Sequence, residues 1–280
     1  MENPQIKLGE EAINEKNPWS DDKLKRQEAA KDLTNLLENQ EDALTISLNG
    51  EWGSGKTFML KRWQQQLKND GYFAIYFNAW EDDFLNDPFV AIIGQLWKEL
   101  RTSSLRELCQ TVKDAAIPFL KRAGVSLLNK GFEKLTGTNL ATITEEELKT
   151  ASESAFDEYV SLIGYREDLK RRLQDLADSI FTRNGKPLIF IIDELDRCRP
   201  TFAIEVLERI KHLFHIKHII FVLGIDRKQL GKSIQAVYGE IDVEKYLHLF
   251  IDLDFSVPQN NPNVFFNALW ERYNISQYLA

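Results

Sequence analysis

Two periodicities alternate along the chain. Apolar runs at 43–48, 72–80, 188–192 and 219–225 read as strands, and the last two are apolar at every position, as strands covered on both faces should be. Between them the spacing changes to three and four. Leu24, Ala30, Leu33 and Leu37 give a partial apolar face to a helix from 20 or 21 to 37, with Asp21 and Asp22 suited to its first turn. Leu60, Trp63 and Leu67 give a second helix, stopped by Asn69, Asp70 and Gly71. Asp87 followed by Pro88 is a strong helix start, and Phe89, Ile92, Ile93, Leu96, Trp97 and Leu100 share one side of the helix that follows. A further helix from about 200 to 214 carries Val206, Leu207, Ile210 and Leu213 inward. At 249–255 the pattern changes again: Ile251, Leu253 and Phe255 alternate with Asp252 and Asp254, which suits a strand wet on one face at a sheet edge.

Strand, helix, strand in immediate succession argues right-handed βαβ crossovers and a parallel sheet, hence an α/β fold. The alternation is broken from 102 to 183. That stretch holds a capping box at Thr144 and Glu147 and an amphipathic run through Leu169, Leu173, Leu176 and Ile180, with loops suggested at Gly124, Gly131, Gly137 and the polar GTNLAT. The predicted organisation is therefore an N-terminal arm (1–20), the first part of an α/β core (21–101), a helical insertion on the strand 2 side (102–183), the second part of the core (184–258), and the start of a C-terminal helical region (259–280).

Composition changes this picture little. Against 35 basic residues stand 43 acidic ones, a net charge of −8, so no global basic field invites nucleic acid or an anionic membrane. Cys109 and Cys198 are far apart and read as reduced thiols. The polar N-terminus is unlike a secretory signal, and the best apolar candidate for a span, 115–128, is interrupted by Lys121 and Arg122. The expectation is a cytoplasmic protein without a transmembrane segment.

The chemistry concentrates in two places. NGEWGSGKT, 49–57, follows a strand and opens a helix, the context required by the phosphate-binding pattern GxxxxGK[ST]. Gly50, Gly53 and Gly55 let successive N–H groups turn toward phosphate oxygens, and the helix starting near Gly55 adds its positive dipole end. Lys56 would reach the β and γ phosphates and the Thr57 hydroxyl would ligate Mg²⁺. The candidate nucleotide contacts here are Gly50, Glu51, Trp52, Gly53, Ser54, Gly55, Lys56, Thr57 and Phe58. LIFIIDELDRC, 188–198, supplies the second half: an acidic residue at the carboxyl end of a buried parallel strand belongs beside a phosphate loop. Asp193 is the candidate Mg²⁺ ligand through water, with Thr57 the other, and Glu194 the candidate general base polarising the attacking water. Asp196 reads as a cap or turn former.

These stretches, together with FNAWEDD (77–83), DELDRCRP (193–200), IKHLFHIKHIIFVLGIDRKQL (210–230) and a segment ending FSVP at Pro258, resemble the KAP family of P-loop NTPases over about 20–258 apart from the insertion. That family has the additional-strand catalytic-glutamate core and is named partly for a plasmid-encoded phage-exclusion protein. The resemblance implies a three-layer P-loop NTPase fold with a parallel sheet of order 5-1-4-3-2. It also implies ATP as the nucleotide, and a sensor position at Asp226 and Arg227 that a helix cap and an exposed arginine explain equally well. Asn78 would orient a catalytic water near Glu194, and Trp80 is more simply a packing residue. Many relatives carry transmembrane helices in the insertion, whereas this one has none. Relatives also continue into a helical lid, while this chain ends at Ala280 within an apparent helix at 264–273, so a lid arginine is not assigned.

The sequence thus predicts a Mg²⁺-dependent ATPase acting as a regulated conformational switch, with antiphage defence as the associated role and a homo-oligomer or protein partner formed on nucleotide binding. A nucleotide-binding scaffold without turnover is the alternative, and a nucleic-acid-dependent ATPase the weaker one. No guanine-reading NKxD run is present. His212, His215 and His218 cross a helix end and a loop and read as surface or helix-end histidines rather than zinc ligands. Lys170, Arg171 and Arg172 read as a solvated face, and Arg197, Arg199 and Arg209, each a candidate trans-acting finger, read first as salt-bridging arginines.

Overall fold

The structure, a computed structural model, describes residues 12–38, 40–85, 87–128 and 145–258, with scattered positions between 263 and 276; for 121–128, 145–156 and 158 only the backbone is described. Five parallel strands form one sheet: β1 (Leu44–Asn49), β2 (Ala74–Asn78), β3 (Leu188–Asp193), β4 (Ile219–Ile225) and β5 (Leu253–Ser256), in the order β2-β3-β4-β1-β5. This is the expected 5-1-4-3-2 read from the other edge.

Alternate residues of the central strands feed two cores. Ile189, Ile191, Ile220 and Val222 join Ile46 and Leu48 beneath α1 (Arg26–Leu37) and α2 (Lys56–Asn69). Leu188, Phe190, Ile192, Phe221 and Leu223 face the other way, toward α3 (Pro88–Leu100), α4 (Arg106–Leu128), α5 (Glu145–Asn184) and α6 (Pro200–Arg209). The Asp87 side chain caps α3 by accepting from the Phe89 N–H at 2.9 Å, with Pro88 at the first position. A π turn, Ile210–Phe214, follows α6, and α7 (Arg227–Tyr238) and α8 (Val243–Leu247) complete the second layer. Phenylalanine rings run in a row through this layer, in edge-to-face, tilted and stacked contacts, from Phe77 on β2 through Phe190, Phe221, Phe214 and Phe89 to Phe119 on α4. Leu105, Cys109, Val112 and Phe119 of the inserted stretch therefore share one core with the sheet, as do Leu169, Leu173, Leu176 and Ile180 of α5. Both thiols are buried, and burial pushes the Cys109 thiol up to about 11.

Five boundaries differ from the pattern reading. The first helix starts at Arg26 rather than at 20 or 21, because Asp21 is drawn to Arg62 and Asp22 accepts from the Leu24 and Gln27 N–H groups, which competes with helix, while Lys25 adopts φ 53°. Just upstream Trp19 is buried and donates to Gln66 at 2.6 Å, so the arm's last residues belong to the core. β2 is shorter than 72–80, ending at Asn78 where the chain turns. Gly124 lies inside α4 rather than in a loop; one helical glycine costs only about 1 kcal/mol. β5 begins at Leu253, and its acidic side chains are not simply wet: Asp252 accepts from the Thr45 N–H, and Asp254 accepts from the Ser47 hydroxyl and pairs with Arg227. Gly131, Gly137, GTNLAT, Thr144 of the capping box and most of 264–273 lie outside the described residues.

Register aligns the carboxyl ends of the strands. Asn78 is opposite Asp193, Asp193 is opposite Gly224, and Asn49 is opposite Ile225. A Cβ on Gly224 would lie 2.4 Å from Leu60 Cδ1 and 2.6 Å from Asp193 Oδ1. Gly224→Ala is therefore expected to cost about 1–3 kcal/mol through overpacking, and to lower the melting temperature by several degrees in a thermal denaturation.

Candidate nucleotide site

Gly53 and Gly55 hold the loop after β1 at φ 80° and 87°, a region that side chains resist. Gly55 sits at the N-cap of α2, so Lys56 and Thr57 are its first residues. On the facing wall β3 ends at Asp193, and Glu194, at φ 61°, leads into the single 3₁₀ turn Leu195–Arg197. A non-glycine residue held in the left-handed region is strained, and such strain is concentrated at working sites. Between loop and turn lies a cavity of about 210 Å³ lined by Glu51, Trp52, Gly53, Gly55, Lys56, Thr57, Asp193, Glu194, Asp196 and Arg197. That is below the roughly 300–1,000 Å³ of pockets that enclose whole ligands, and matches the phosphate end of a nucleotide better than its base.

Asp193 has no solvent exposure. Its carboxylate is held by Thr57, by the Tyr76 hydroxyl at 2.9 Å and by the Glu194 N–H at 2.9 Å. Burial nevertheless dominates and raises its pKa above the ordinary aspartate value, with those hydrogen bonds and Lys56 opposing. Lys56 is 8% exposed and donates to the Gly50 carbonyl and, at 3.3 Å, to that of Glu51. The loop's own carbonyls thus hold the ammonium beside the cavity. Glu194 is engaged on both oxygens: Arg197 pairs with Oε1 at 2.8 Å and the Asn78 amide donates to Oε2 at 3.2 Å.

Several positions behave differently from their sequence readings. Asp196 does not cap its turn; it accepts from Trp52 Nε1 at 2.5 Å, tying the loop to the acidic segment, and its Oδ1 is buried without a partner. Asp226 follows the cap reading rather than the sensor one: it is buried, caps α7 by accepting from the N–H groups of Lys228 and Gln229, and does not line the cavity. Arg227 is not exposed, and its guanidinium turns away to Asp254 and Glu244. Phe58 also stands outside the cavity lining, under the Arg62 guanidinium at 3.5 Å from its ring centre. Gly50 contributes its carbonyl, and Ser54 accepts from Arg26 through its own carbonyl. Arg26, buried and also bonded to the Pro258 carbonyl, fastens the loop to the segment after β5. Tyr76, Arg26 and the Trp52–Asp196 link were not foreseen. Tyr76 had a signal, since it lies two residues before Asn78 and so on the same face of β2.

Among the described residues, no group of three or more His, Cys, Asp or Glu is placed to hold a metal ion. His218 stacks on Phe181 and pairs with Asp178. No helix among the described residues is long and apolar enough to cross a membrane.

A glycine-bent loop opening a helix, facing an acidic strand end in a 5-1-4-3-2 parallel sheet, defines a P-loop NTPase domain. The family model described as "KAP family P-loop domain" matches residues 26–277, and the chain belongs to that family. Solved structures it resembles include the ORC2 protein of Aeropyrum pernix in ADPNP-ADP complexes, at 16% identity and a TM-score of 0.40, with 90% of this chain and 52% of that one covered. Another is Cdc6p of Pyrobaculum aerophilum, at 14% identity and a TM-score of 0.42, with 95% and 52% covered. The chain spans about half the length of these structures. None of the curated proteins matches it.

The raised pKa of Asp193 has a sign that can be tested. Its neutral form is favoured in the fold, so its contribution to stability is fully present below the ordinary aspartate pKa and is lost as pH rises through the higher folded value. In urea unfolding of the nucleotide-free protein, wild type should lose stability relative to Asp193→Asn as pH climbs from about 4 toward neutrality.

Proposed function

We propose that this chain binds ATP with Mg²⁺ and hydrolyses it, using the cycle as a conformational switch. The observation that carries the reading is the convergence of Lys56 and Thr57 from one wall, and Asp193 and Glu194 from the other, on one cavity. The Thr57 hydroxyl and the Asp193 carboxylate, both on the cavity wall, are hard oxygen donors of the kind Mg²⁺ takes, so the residues fit that ion. When bound, the ion withdraws charge from the phosphate oxygens.

The chain's own groups do the rest. Lys56 exchanges the Gly50 and Glu51 carbonyls for phosphate oxygens, and the N–H groups of the glycine loop point at the same phosphates. Glu194 accepts a proton from a water as its oxygen attacks the γ phosphorus, and the bond to the β–γ bridging oxygen breaks with its electron pair leaving on ADP. Asn78, bonded to Glu194, orients that carboxylate. A protein partner or a second copy joining on nucleotide binding, and a role in antiphage defence, follow from the family resemblance alone.

One observation favours the second reading, a nucleotide-binding scaffold without turnover: both Glu194 oxygens and Lys56 are already engaged. Phosphate release separates the two. Lys56→Ala is expected to abolish nucleotide binding, whereas Glu194→Gln binds ATP as wild type does and turns over about 10²–10⁴-fold more slowly. Equal phosphate release by wild type and Glu194→Gln removes Glu194 from the reaction, and size-exclusion chromatography with and without ATP and Mg²⁺ reports assembly.

A further inference from the structure

The cavity wall carries two cations, Lys56 on the loop side and Arg197 on the acidic side. The neighbouring arginines have other duties. Arg199 grips the Asp83 side chain and the Asp83 and Leu85 carbonyls, and Arg209 pairs with Asp87, so both brace the segment after β2. Arg197 lies three residues beyond Glu194, and the 3₁₀ turn brings its guanidinium back over that carboxylate at 2.8 Å. The guanidinium also lies over the ring of Trp80, 5.5 Å from the centroid.

That pair is poised for exchange. Arg197 keeps 39% of its side-chain exposure, and an ion pair in such a setting is weakly held. A terminal phosphate offers two negative charges and three acceptor oxygens to a planar fork that Glu194 engages through one oxygen. Trp80, 53% exposed, leaves the guanidinium a surface on which to pivot. Resting on the nucleotide reading above, we propose that Arg197 is the γ-phosphate reader of this site, acting within its own chain: it leaves Glu194 for the γ phosphate when a triphosphate enters. A diphosphate has no group at that place and leaves the Arg197–Glu194 pair intact. Arrival of the triphosphate then both fixes the γ phosphate and frees one oxygen of Glu194 to receive a proton.

The test is equilibrium binding, with Mg²⁺, of ADP and of a non-hydrolysable ATP analogue to the full chain. Wild type should prefer the analogue. Arg197→Gln should lose about ten- to a hundredfold of affinity for the analogue while its ADP affinity stays within about twofold, the loss of a charge-assisted contact to one phosphate. Arg197→Lys, which keeps the charge without the fork, should fall between, and it decides the matter by the same ratio if Arg197→Gln does not fold. An unchanged analogue-to-ADP ratio in a variant that still binds ADP overturns the assignment and leaves the nucleotide reading standing. Restoration of the Arg197→Gln ratio on mixing with Lys56→Ala protein overturns it too, by showing the arginine acting on a neighbouring copy. Failure of wild type to bind either nucleotide overturns the nucleotide reading and this inference together.

Discussion

A carboxylate with no access to water is the constraint around which this molecule is assembled. Asp193 ends the interior strand β3, and the groups near it make its burial tolerable: the Thr57 hydroxyl, the Tyr76 hydroxyl and the N–H of the next residue surround it. Those donors come from three segments, α2, β2 and the turn after β3, so keeping Asp193 satisfied also fixes the phosphate loop against the sheet. The register of β4 does the remaining work, because it puts Gly224 beside the carboxylate, where a side chain would collide with it. Burial still wins over the donors, and the free chain carries a cost at this position that a bound cation can relieve.

The turn that follows shows the same economy. Glu194 takes a left-handed backbone conformation, which redirects the chain immediately after the strand and lets Arg197 fold back over it. Asn78 reaches the same carboxylate from the end of β2, which is possible only because β2 and β3 are paired in parallel with Asn78 opposite Asp193. Trp52 crosses from the loop to Asp196 and closes the other side. The segments around the cavity are thus tied to one another through side chains, most of which also line it.

Much of this was legible in the sequence, for a physical reason in each case. Runs such as 188–192 and 219–225 have no polar residue to place in water, so only a strand covered on both faces accommodates them, and the strand ends then locate the loop and the acidic pair. Asp87 and Pro88 fixed the start of α3 because cap chemistry is local. What remained hidden depended on particular side-chain pairings, several of them with partners distant in sequence. Asp21 and Asp22 look like first-turn residues until Arg62 and the Gln27 N–H are brought to them. The alternation at 249–255 reads as a wetted face, yet Asp252 and Asp254 bond back to β1 and Arg227. Of the two readings open for Asp226 and Arg227, the helix cap holds for Asp226, which caps α7, whereas Arg227 is neither exposed nor on the cavity wall and turns toward β5 and α8. Pairings of this kind leave no periodic trace.

The row of phenylalanines has a mechanical corollary. From Phe77 on β2 and Phe190 on β3, ring touches ring as far as Phe119 in the helical stretch between α3 and β3. Close-packed rings yield by jumping between alternative nestings more readily than by gradual compression. Force applied to α4 would therefore pass from ring to ring into β3, the strand that ends at Asp193.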